Sequence, residues 1–291
     1  MTRLLPISLV LLLAGTIAGC GSSSSNPAAT VNGHDISMTS YNQEVRYDCV
    51  NAASQYGFDV CKDKGTKFLT DSLKKSSLEA LIQVELIQEY ASKHRIAVST
   101  LDFDRNWAVI YKTKFGSNKI LKAFVSRYGM TVGDLKTRLR DDLLKQRVEA
   151  AVTKSMPAKT EAIRLARLQT LNKGGNLLVR GLLREGKTFP QIAVQLGTGT
   201  LGPCKTGCGD LGWIPTAFLP TYQSNLATAP VGKAVGPLAL QKNGFEYFQV
   251  EARDPHYTMT TRQLSTMRNK VMAQWLSQQE KRATIKRFTA V

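Results

Sequence analysis

Histidine is scarce in this sequence. The 291 residues contain only His34, His94 and His256, so the stretch from Pro157 to Pro255 has none. Zinc hydrolases and Ser–His nucleophilic enzymes need imidazole as a ligand or a base, so both enzyme classes are poorly supported. A phosphate-binding loop is missing too, because Gly197-Thr198-Gly199 is not followed by a Lys–Ser/Thr pair. We therefore expect no metal and no cofactor.

Long apolar runs are also absent beyond the N-terminus, and no later segment is apolar enough to span a bilayer. After Thr2 and Arg3, the apolar run Leu4–Ala18 is long enough for a signal-peptide core but short for a membrane span. Ile17-Ala18-Gly19-Cys20 has the form of a bacterial lipobox. We expect residues 1–19 to be a lipoprotein signal, Cys20 to carry lipid and residues 20–28 to be a flexible tether. An ordinary secretory signal with an incidental cysteine is the alternative.

Acidic residues are few relative to basic ones. The chain has 39 Lys and Arg against 22 Asp and Glu, a formal charge of +17. Such an excess suits an anionic membrane surface, acidic clients or nucleic acid. Export argues against nucleic acid, and a solvated basic surface without a dedicated partner is the alternative.

Cysteine is limited to five residues, and lipidation of Cys20 would leave four. These four form two pairs that are local in sequence, Cys49 with Cys61 and Cys204 with Cys208. An oxidising compartment favours disulfides in both pairs. Zinc is the rival interpretation, but no matching Cys/His pair lies near Cys204-x-x-x-Cys208.

The pattern from residue 29 to 155 is mostly helical. Capping boxes at Ser40-x-x-Gln43 and Ser76-x-x-Glu79 predict helix starts, and Leu78, Leu81 and Ile82 begin an apolar stripe. A last helix follows Met130-Thr131-Val132. Its polar face carries basic residues mixed with acids, which we interpret as plain solvated helix (Lys136, Arg138, Arg140, Lys145, Asp141 and Asp142).

After the break at Met156-Pro157 the pattern changes to a compact α+β unit of typical domain size. Strands are predicted at 163–171 and 244–250, and helices at 176–184 and 189–196. Helical character returns after Asp254-Pro255 and extends to Arg287. The predicted fold class is α+β: a helical domain at 29–155, an inserted domain at 156–255 and a terminal helix at 256–291 that packs back on the helical domain.

The helical part resembles the N-terminal domain of SurA- and PrsA-type bacterial foldases. The stretches that carry this resemblance are Ala29-Thr30-Val31-Asn32-Gly33 before a helix, and Tyr128-Gly129-Met130-Thr131 before Asp134-Leu135 and Leu139-Arg140. The middle part resembles a parvulin (PpiC-type, rotamase) domain. Its motifs are Gly209-Asp210-Leu211-Gly212-Trp213, Leu219-Pro220-Thr221-Tyr222, Val231 to Leu238, and Gly244-Phe245-Glu246-Tyr247-Phe248.

The parvulin resemblance implies a pocket for a prolyl peptide formed by Leu211, Phe218 and Tyr222. Phe218 and Tyr222 are four residues apart, so they would share one helix face if that segment were helical. The alternative is that these side chains are domain core.

Parvulins usually carry a histidine in their first strand and another in their last strand. Here the same positions hold Arg167 and Glu246. By position Arg167 and Glu246 are the candidate catalytic residues that the resemblance implies, and an ion pair between them would substitute structurally for the two histidines.

The resemblance implies an extracytoplasmic folding factor, held at the cell membrane or an outer membrane by the Cys20 lipid. Its partners would be unfolded or newly exported polypeptides. Three functions remain open: an active peptidyl-prolyl isomerase, a non-catalytic holdase or assembly factor with a degenerate parvulin domain, and a structural lipoprotein subunit.

Overall fold

The computed structural model describes residues 26–62, 64–196, 209–240 and 244–289. The expected lipidation site Cys20, the leader before it and the expected Cys204–Cys208 pair lie outside the described residues. Within those ranges, none of the helices combines the length and the apolar character needed to cross a membrane.

Helices and strands are mixed, which confirms the α+β class. The helices are α1 (Met38–Tyr56), α2 (Lys67–Lys93), α3 (Thr100–Ile110), α4 (Asn118–Tyr128), α5 (Val132–Val152), α6 (Lys173–Arg184), α7 (Phe189–Leu196) and α8 (Thr261–Arg282). The strands are β1 (Ala29–Val31), β2 (His34–Ile36), β3 (Lys159–Thr170), β4 (Asp210–Pro215), β5 (Ala234–Ala239), β6 (Phe245–Thr258) and β7 (Ile285–Arg287).

The chain divides into two compact units. Of the described residues, the first unit contains those up to Lys145 together with those from Gln279 onward, and the second contains those between Gln146 and Gln278. The second unit is thus inserted into the first along the chain, but its boundaries lie outside the expected 156 and 255. Most of α8 groups with the second unit, contrary to our expectation for the terminal helix. Local contacts explain this grouping, since Gln263 Nε2 donates to the Trp213 carbonyl at 2.9 Å and Lys270 Nζ donates to the Ala217 carbonyl.

The first unit is built on a long helical hairpin, α1 with α2, and a small sheet of order β2-β1-β7. The sheet covers an apolar cluster in which Val31, Leu78 and Ile82 are fully buried. β7 pairs antiparallel with β1, and Arg287 forms a two-bonded ion pair with Glu79 at 2.8 and 2.9 Å. The end of the chain therefore closes the unit that the start of the chain begins.

Two helix starts differ from the expected capping boxes. α1 begins at Met38, because the Ser37 hydroxyl accepts from the Ser40 amide at 3.0 Å. α2 begins at Lys67, so Ser76 lies inside it and donates to the Leu73 carbonyl at 2.9 Å. Ser37 therefore caps α1, whereas Thr66 precedes α2 without a side-chain cap hydrogen bond.

The hairpin is cross-linked at its connected end. Cys49 and Cys61 form a disulfide with their Cα atoms 5.8 Å apart, which confirms this predicted pair. The bond ties the α1–α2 connection back to α1. Val60 in this connection is buried, and its carbonyl accepts from the Thr66 and Thr70 hydroxyls at 2.6 and 2.9 Å.

The second unit is a four-stranded antiparallel sheet of order β4-β3-β6-β5. α6 and α7 cover one face through a cluster that includes Leu168, Phe189 and Tyr247. The other face carries a second cluster, centred on Leu165, Leu226 and Phe248. The two central strands, β3 and β6, are longer than predicted. β3 already begins at Lys159 and β6 continues to Thr258, because these additional residues pair with one another.

Candidate functional site

Arg167 and Glu246 lie side by side on the sheet face opposite α6 and α7. Alternate residues of a strand point to opposite faces, so Arg167 shares the face of Leu165, and Glu246 shares the face of Phe248. In the β3–β6 register Arg167 lies opposite Phe248, so the two charged residues are diagonal neighbours. Arg167 Nη1 donates to Glu246 Oε1 at 3.3 Å, which confirms the expected ion pair.

The ion pair is buried and incompletely hydrogen-bonded. Glu246 is only 4% exposed and the Arg167 side chain 29%. Arg167 Nε and Glu246 Oε2 find no hydrogen-bond partner among the residues that the structure describes. Burial of a charged pair costs desolvation energy that one long hydrogen bond offsets only in part. The site is therefore a charged, energetically costly spot within an otherwise apolar face.

The Gly209–Trp213 motif is explained by close packing against β3. The Gly209 carbonyl accepts from the Arg167 amide at 2.7 Å, and a Cβ on Gly209 would lie 2.1 Å from the Arg167 carbonyl oxygen. With φ at +77°, only glycine fits there without strain. The motif thus positions the backbone of the residue that occupies the first histidine position.

Asp210 of the same motif pins β4 to β3. Its carboxylate accepts from Arg164 at 2.6 Å and from the Gly212 amide at 2.7 Å. The Arg164 hydrogen bond is the main reason that the pKa of Asp210 is lowered. Trp213 stacks on Tyr257 with ring centroids 5.5 Å apart, which anchors the far end of the motif.

The expected pocket residues occupy three different local settings. Leu211 on β4 packs against the apolar cluster of Leu165 and Phe248. Phe218 ends a 3₁₀ turn at Thr216–Phe218, whereas Tyr222 lies in a second one at Thr221–Ala227. The two do not share a helix face, because extended backbone at Leu219 and Pro220 separates the turns. Tyr222 is 59% exposed, so it is available to a ligand and is not core.

Two residues that sequence reasoning missed position the Tyr222 segment. Gln223 is buried, and its amide donates to the Tyr222 hydroxyl at 2.9 Å. Arg253 on β6 donates to the carbonyls of Ala227 and Ala229, and to that of Leu226 at 3.3 Å. Neither residue belongs to a recognisable sequence motif, so only the fold shows that they hold this turn in place.

A second candidate site is a cleft of about 420 Å³ in the first unit, between α1, α2 and α5. Leu81, Val84 and Ile87 give it an apolar wall, while Asp141 and Asp142 of α5 lie on the polar side. Burial raises the pKa of both Asp141 and Asp142. Arg138 and Lys145 of the same helix also line the cleft, so it offers apolar surface together with charges of both signs.

The interpretation of the polar face of α5 as plain solvated helix is wrong. Arg138 donates to both Glu44 oxygens, at 2.5 and 2.7 Å, and lies 3.7 Å over the Tyr47 ring. Lys136 and Arg140 lie over the rings of Trp107 and Phe103, at 5.1 and 4.6 Å from their centroids. The cations of α5 are thus used in packing the unit, through cation–π contacts and a two-bonded ion pair. In the described part of the chain, no cluster of His, Cys, Asp and Glu is suited to a metal.

Comparison with known proteins assigns the helical unit. The family model of the SurA-like N-terminal domain matches residues 2–149. No curated protein matches the chain significantly.

Several solved structures are similar to the chain. The peptidylprolyl isomerase PrsA of Bacillus anthracis has 16% identity, with 69% of this chain and 89% of that one covered, at a TM-score of 0.44. A SurA-like chaperone of Campylobacter jejuni has 14% identity, with 91% and 100% covered, at 0.36. A PpiC-type peptidyl-prolyl cis-trans isomerase domain has 23% identity, with 35% and 100% covered, at 0.27. These TM-scores are below 0.5, so the family assignment rests on the sequence match alone.

Proposed function

Since the chain belongs to the SurA-like N-terminal domain family, we propose that it is an extracytoplasmic folding factor that binds unfolded exported polypeptides. The observation that carries the proposal is the cleft between α1, α2 and α5, which lies within the matched residues. An unfolded chain exposes apolar side chains beside backbone amides and charges. A cleft with an apolar wall and charges of both signs fits short segments of such a chain that combine apolar and charged residues.

Client binding is tested by suppression of aggregation. Val84→Ser places a hydroxyl in the apolar wall of the cleft, and we expect it to weaken the suppression of a denatured model client several-fold. Leu101→Ser on α3 is the matched control, because Leu101 is exposed and is not among the residues that line the cleft. Equal suppression by wild type, Val84→Ser and Leu101→Ser would contradict the assignment of the cleft.

Prolyl isomerisation is the second candidate function, and Leu211, Phe218 and Tyr222 support it. The reaction breaks no covalent bond, and its barrier of about 18–20 kcal/mol reflects lost amide resonance. A catalyst needs an apolar cup for the proline ring, a dry environment and hydrogen bonds that favour the twisted amide. Leu211 lies in an apolar cluster, and the Tyr222 hydroxyl is held by Gln223.

The charged pair argues for slow isomerisation. Arg167 and Glu246 replace two neutral imidazoles, so the groups at this place are charged and one hydrogen bond joins them to each other, while Arg167 Nε and Glu246 Oε2 have no partner among the described residues. We propose that the second unit acts mainly by binding peptide. A protease-coupled or NMR exchange assay on a prolyl peptide measures this directly. A fast rate that Tyr222→Ala abolishes, with aggregation suppression unchanged, would restore the enzyme as the main function.

We further propose that the chain is anchored by lipid at Cys20, as the lipobox and the adjacent Ser-rich tether indicate. The Cys49–Cys61 disulfide supports an oxidising, extracytoplasmic compartment. Cys20→Ala should abolish the lipid mass increment and release the protein from the membrane fraction. Unchanged mass and retention in that variant would refute the anchor.

A further inference from the structure

The connected end of the α1–α2 hairpin exposes a group of large apolar side chains. Phe68 is 84% exposed and Tyr56 55%, and Phe58 and Leu69 are also exposed. We call these four residues, with the lysines beside them, the hairpin tip. Scattered single apolar residues on a surface need no explanation, but a group of aromatic residues in one place marks an interaction site.

The four side chains lie at the same end of the hairpin. Asp48 accepts from the Ser77 hydroxyl at 2.6 Å, which sets α1 and α2 in register. Tyr56 follows Asp48 by eight residues and Phe68 precedes Ser77 by nine. At about 1.5 Å per residue, both therefore lie about 12–14 Å beyond that contact, in the same direction. The Tyr56 and Phe58 rings are 6.1 Å apart.

The hairpin tip is held rigid from within. The Cys49–Cys61 disulfide and buried Val60 fix the connection, and the four apolar side chains around it remain exposed. A pre-organised apolar surface loses little conformational entropy when it binds.

The charge around the hairpin tip is basic. Lys67, Lys74 and Lys75 of α2 are exposed, and Lys62 is exposed although it pairs with Asp59 at 3.2 Å. Over residues 56–75 the sequence has more lysines than aspartates, so the lysines are in excess (Lys62, Lys64, Lys67, Lys74 and Lys75 against Asp59, Asp63 and Asp71). Aromatic side chains next to lysines suit the boundary between water and an anionic lipid layer, where the rings enter the headgroup region and the cations meet phosphate.

The start of the described chain lies next to this surface. Asn26 and Pro27 line an open cleft together with Lys74 of α2. Lys74 follows Phe68 by six residues, which is about 9 Å along the helix. Cys20 precedes Asn26 by six residues in sequence, and six residues reach at most about 22 Å. A lipid on Cys20 would therefore hold the hairpin tip within reach of the membrane surface.

We propose that the hairpin tip binds the anionic surface of the membrane and sets the orientation of the anchored protein. The orientation rests on the proposed lipid at Cys20, whereas binding of the tip to lipid does not. The lysines provide attraction and the phenylalanines provide insertion. With both in contact, the first unit has a fixed side toward the bilayer and is not free to turn on its tether.

The test uses the mature chain from Gly21 onward, without lipid, which retains every described residue. Its sedimentation is measured with vesicles of phosphatidylglycerol and phosphatidylcholine, and with vesicles of phosphatidylcholine alone. Phe58→Ser/Phe68→Ser removes the aromatic groups, and Lys67→Gln/Lys74→Gln removes two charges. Leu101→Ser/Val109→Ser on α3 and Lys119→Gln/Lys122→Gln on α4 are the matched controls, since all four residues are exposed in the same unit.

Wild type should bind the anionic vesicles and not the neutral ones. The phenylalanine variant should lower the partition coefficient about tenfold, as loss of partial burial of two rings predicts. The lysine variant should lower it about fivefold per lysine, and this difference should vanish at high salt. The two controls should change binding less than twofold.

Three results would overturn the proposal. Equal losses in the controls would mean that the basic surface as a whole binds lipid. Vesicle binding that the tip variants leave unchanged, combined with lost aggregation suppression, would make the tip a client-binding surface. Self-association of wild type that Phe58→Ser/Phe68→Ser abolishes, without an effect on vesicles, would make it an interface between two copies. Failure of the Cys20 anchor itself is recognised separately, by the membrane retention of Cys20→Ala.

Discussion

The Arg167–Glu246 pair allows a quantitative prediction about the second unit. Arg167→Met leaves the Glu246 carboxylate almost fully buried and without its counter-charge. Loss of one partner of a buried pair costs about 3–5 kcal/mol. Because the Arg167 side chain retains 29% exposure, water can reach part of the pair, and we expect about 2–3 kcal/mol. Glu246→Leu should cost less, about 1 kcal/mol, since the remaining guanidinium is the better solvated partner.

The double variant Arg167→Met/Glu246→Leu should be close to wild type, within about 1 kcal/mol. Replacement of a buried ion pair by apolar groups of similar volume is often neutral. The two single losses are then not additive, and the coupling energy should be about 2 kcal/mol. Arg164→Met is the matched control on the same strand. Arg164 is 46% exposed and pairs with Asp210 and Glu251 near the surface, so its loss should cost at most about 1 kcal/mol.

The assay is urea unfolding combined with hydrogen exchange of the β3 and β6 amides, which reports on the second unit alone. Prolyl-isomerase rate is measured on the same preparations. We expect Arg167→Met to lower stability without a comparable loss of rate. If the stability loss of the double variant equals the sum of the two single losses, the two residues do not stabilise one another and the ion pair is not what joins β3 to β6. If the rate falls in parallel with no loss of stability, Arg167 acts on the substrate.

Three further predictions concern single contacts. Gly209→Ala should destabilise the second unit by about 2 kcal/mol or more in urea unfolding, because φ is positive and the new Cβ meets the Arg167 carbonyl. Gly181→Ala in α6 is the control. A Cβ there meets nothing within 4 Å, so this variant should stabilise the unit by up to about 1 kcal/mol. Cys49→Ser should cost about 2–3 kcal/mol of first-unit stability in thermal unfolding, as expected for a disulfide with a sequence separation of 12, and no loss would show that the bond is absent. The lowered pKa of Asp210 implies a contribution to stability that is present above the unfolded pKa of about 3.9 and is lost as pH falls through the folded pKa. Asp210→Asn should therefore flatten the acid limb of a stability–pH profile. An unchanged profile would contradict the Arg164 contact.

The general order of the molecule was predictable from local patterns. A period of 3.6 residues marks the helices of the first unit, and alternation with Gly- and Pro-containing turns marks the sheet of the second. The break at Met156-Pro157 and the pair Cys49–Cys61 are also local signals. The Arg167–Glu246 contact was predictable from the resemblance, which aligned both residues with strand positions that are neighbours in the fold.

Helix starts and long-range roles were not predictable in this way. Ser37 and Ser40 can both cap α1, and the folded chain uses Ser37; α2 begins at Lys67, well before Ser76 and without a side-chain cap. α8 looks like one amphipathic element in sequence, yet its residues divide between the units because their partners, such as the Trp213 carbonyl, come from distant parts of the chain. The spacing of four between Phe218 and Tyr222 suggested one shared helix face. Extended backbone at Leu219 and Pro220 separates the two residues into different turns.

The sequence by itself determined the composition of each element and the residues able to form a disulfide, a cap or a β-strand, because these depend on neighbours along the chain. Only the tertiary structure decided which polar groups lost their water. Arg138 became the half-buried partner of buried Glu44, although its helix face looks solvated in sequence, and Glu246 became an incompletely satisfied carboxylate. Only the tertiary structure also brought Lys74 next to Asn26 and Pro27, which links the hairpin tip to the start of the folded chain. Burial depends on what packs over a side chain, and those partners are residues far away in the sequence.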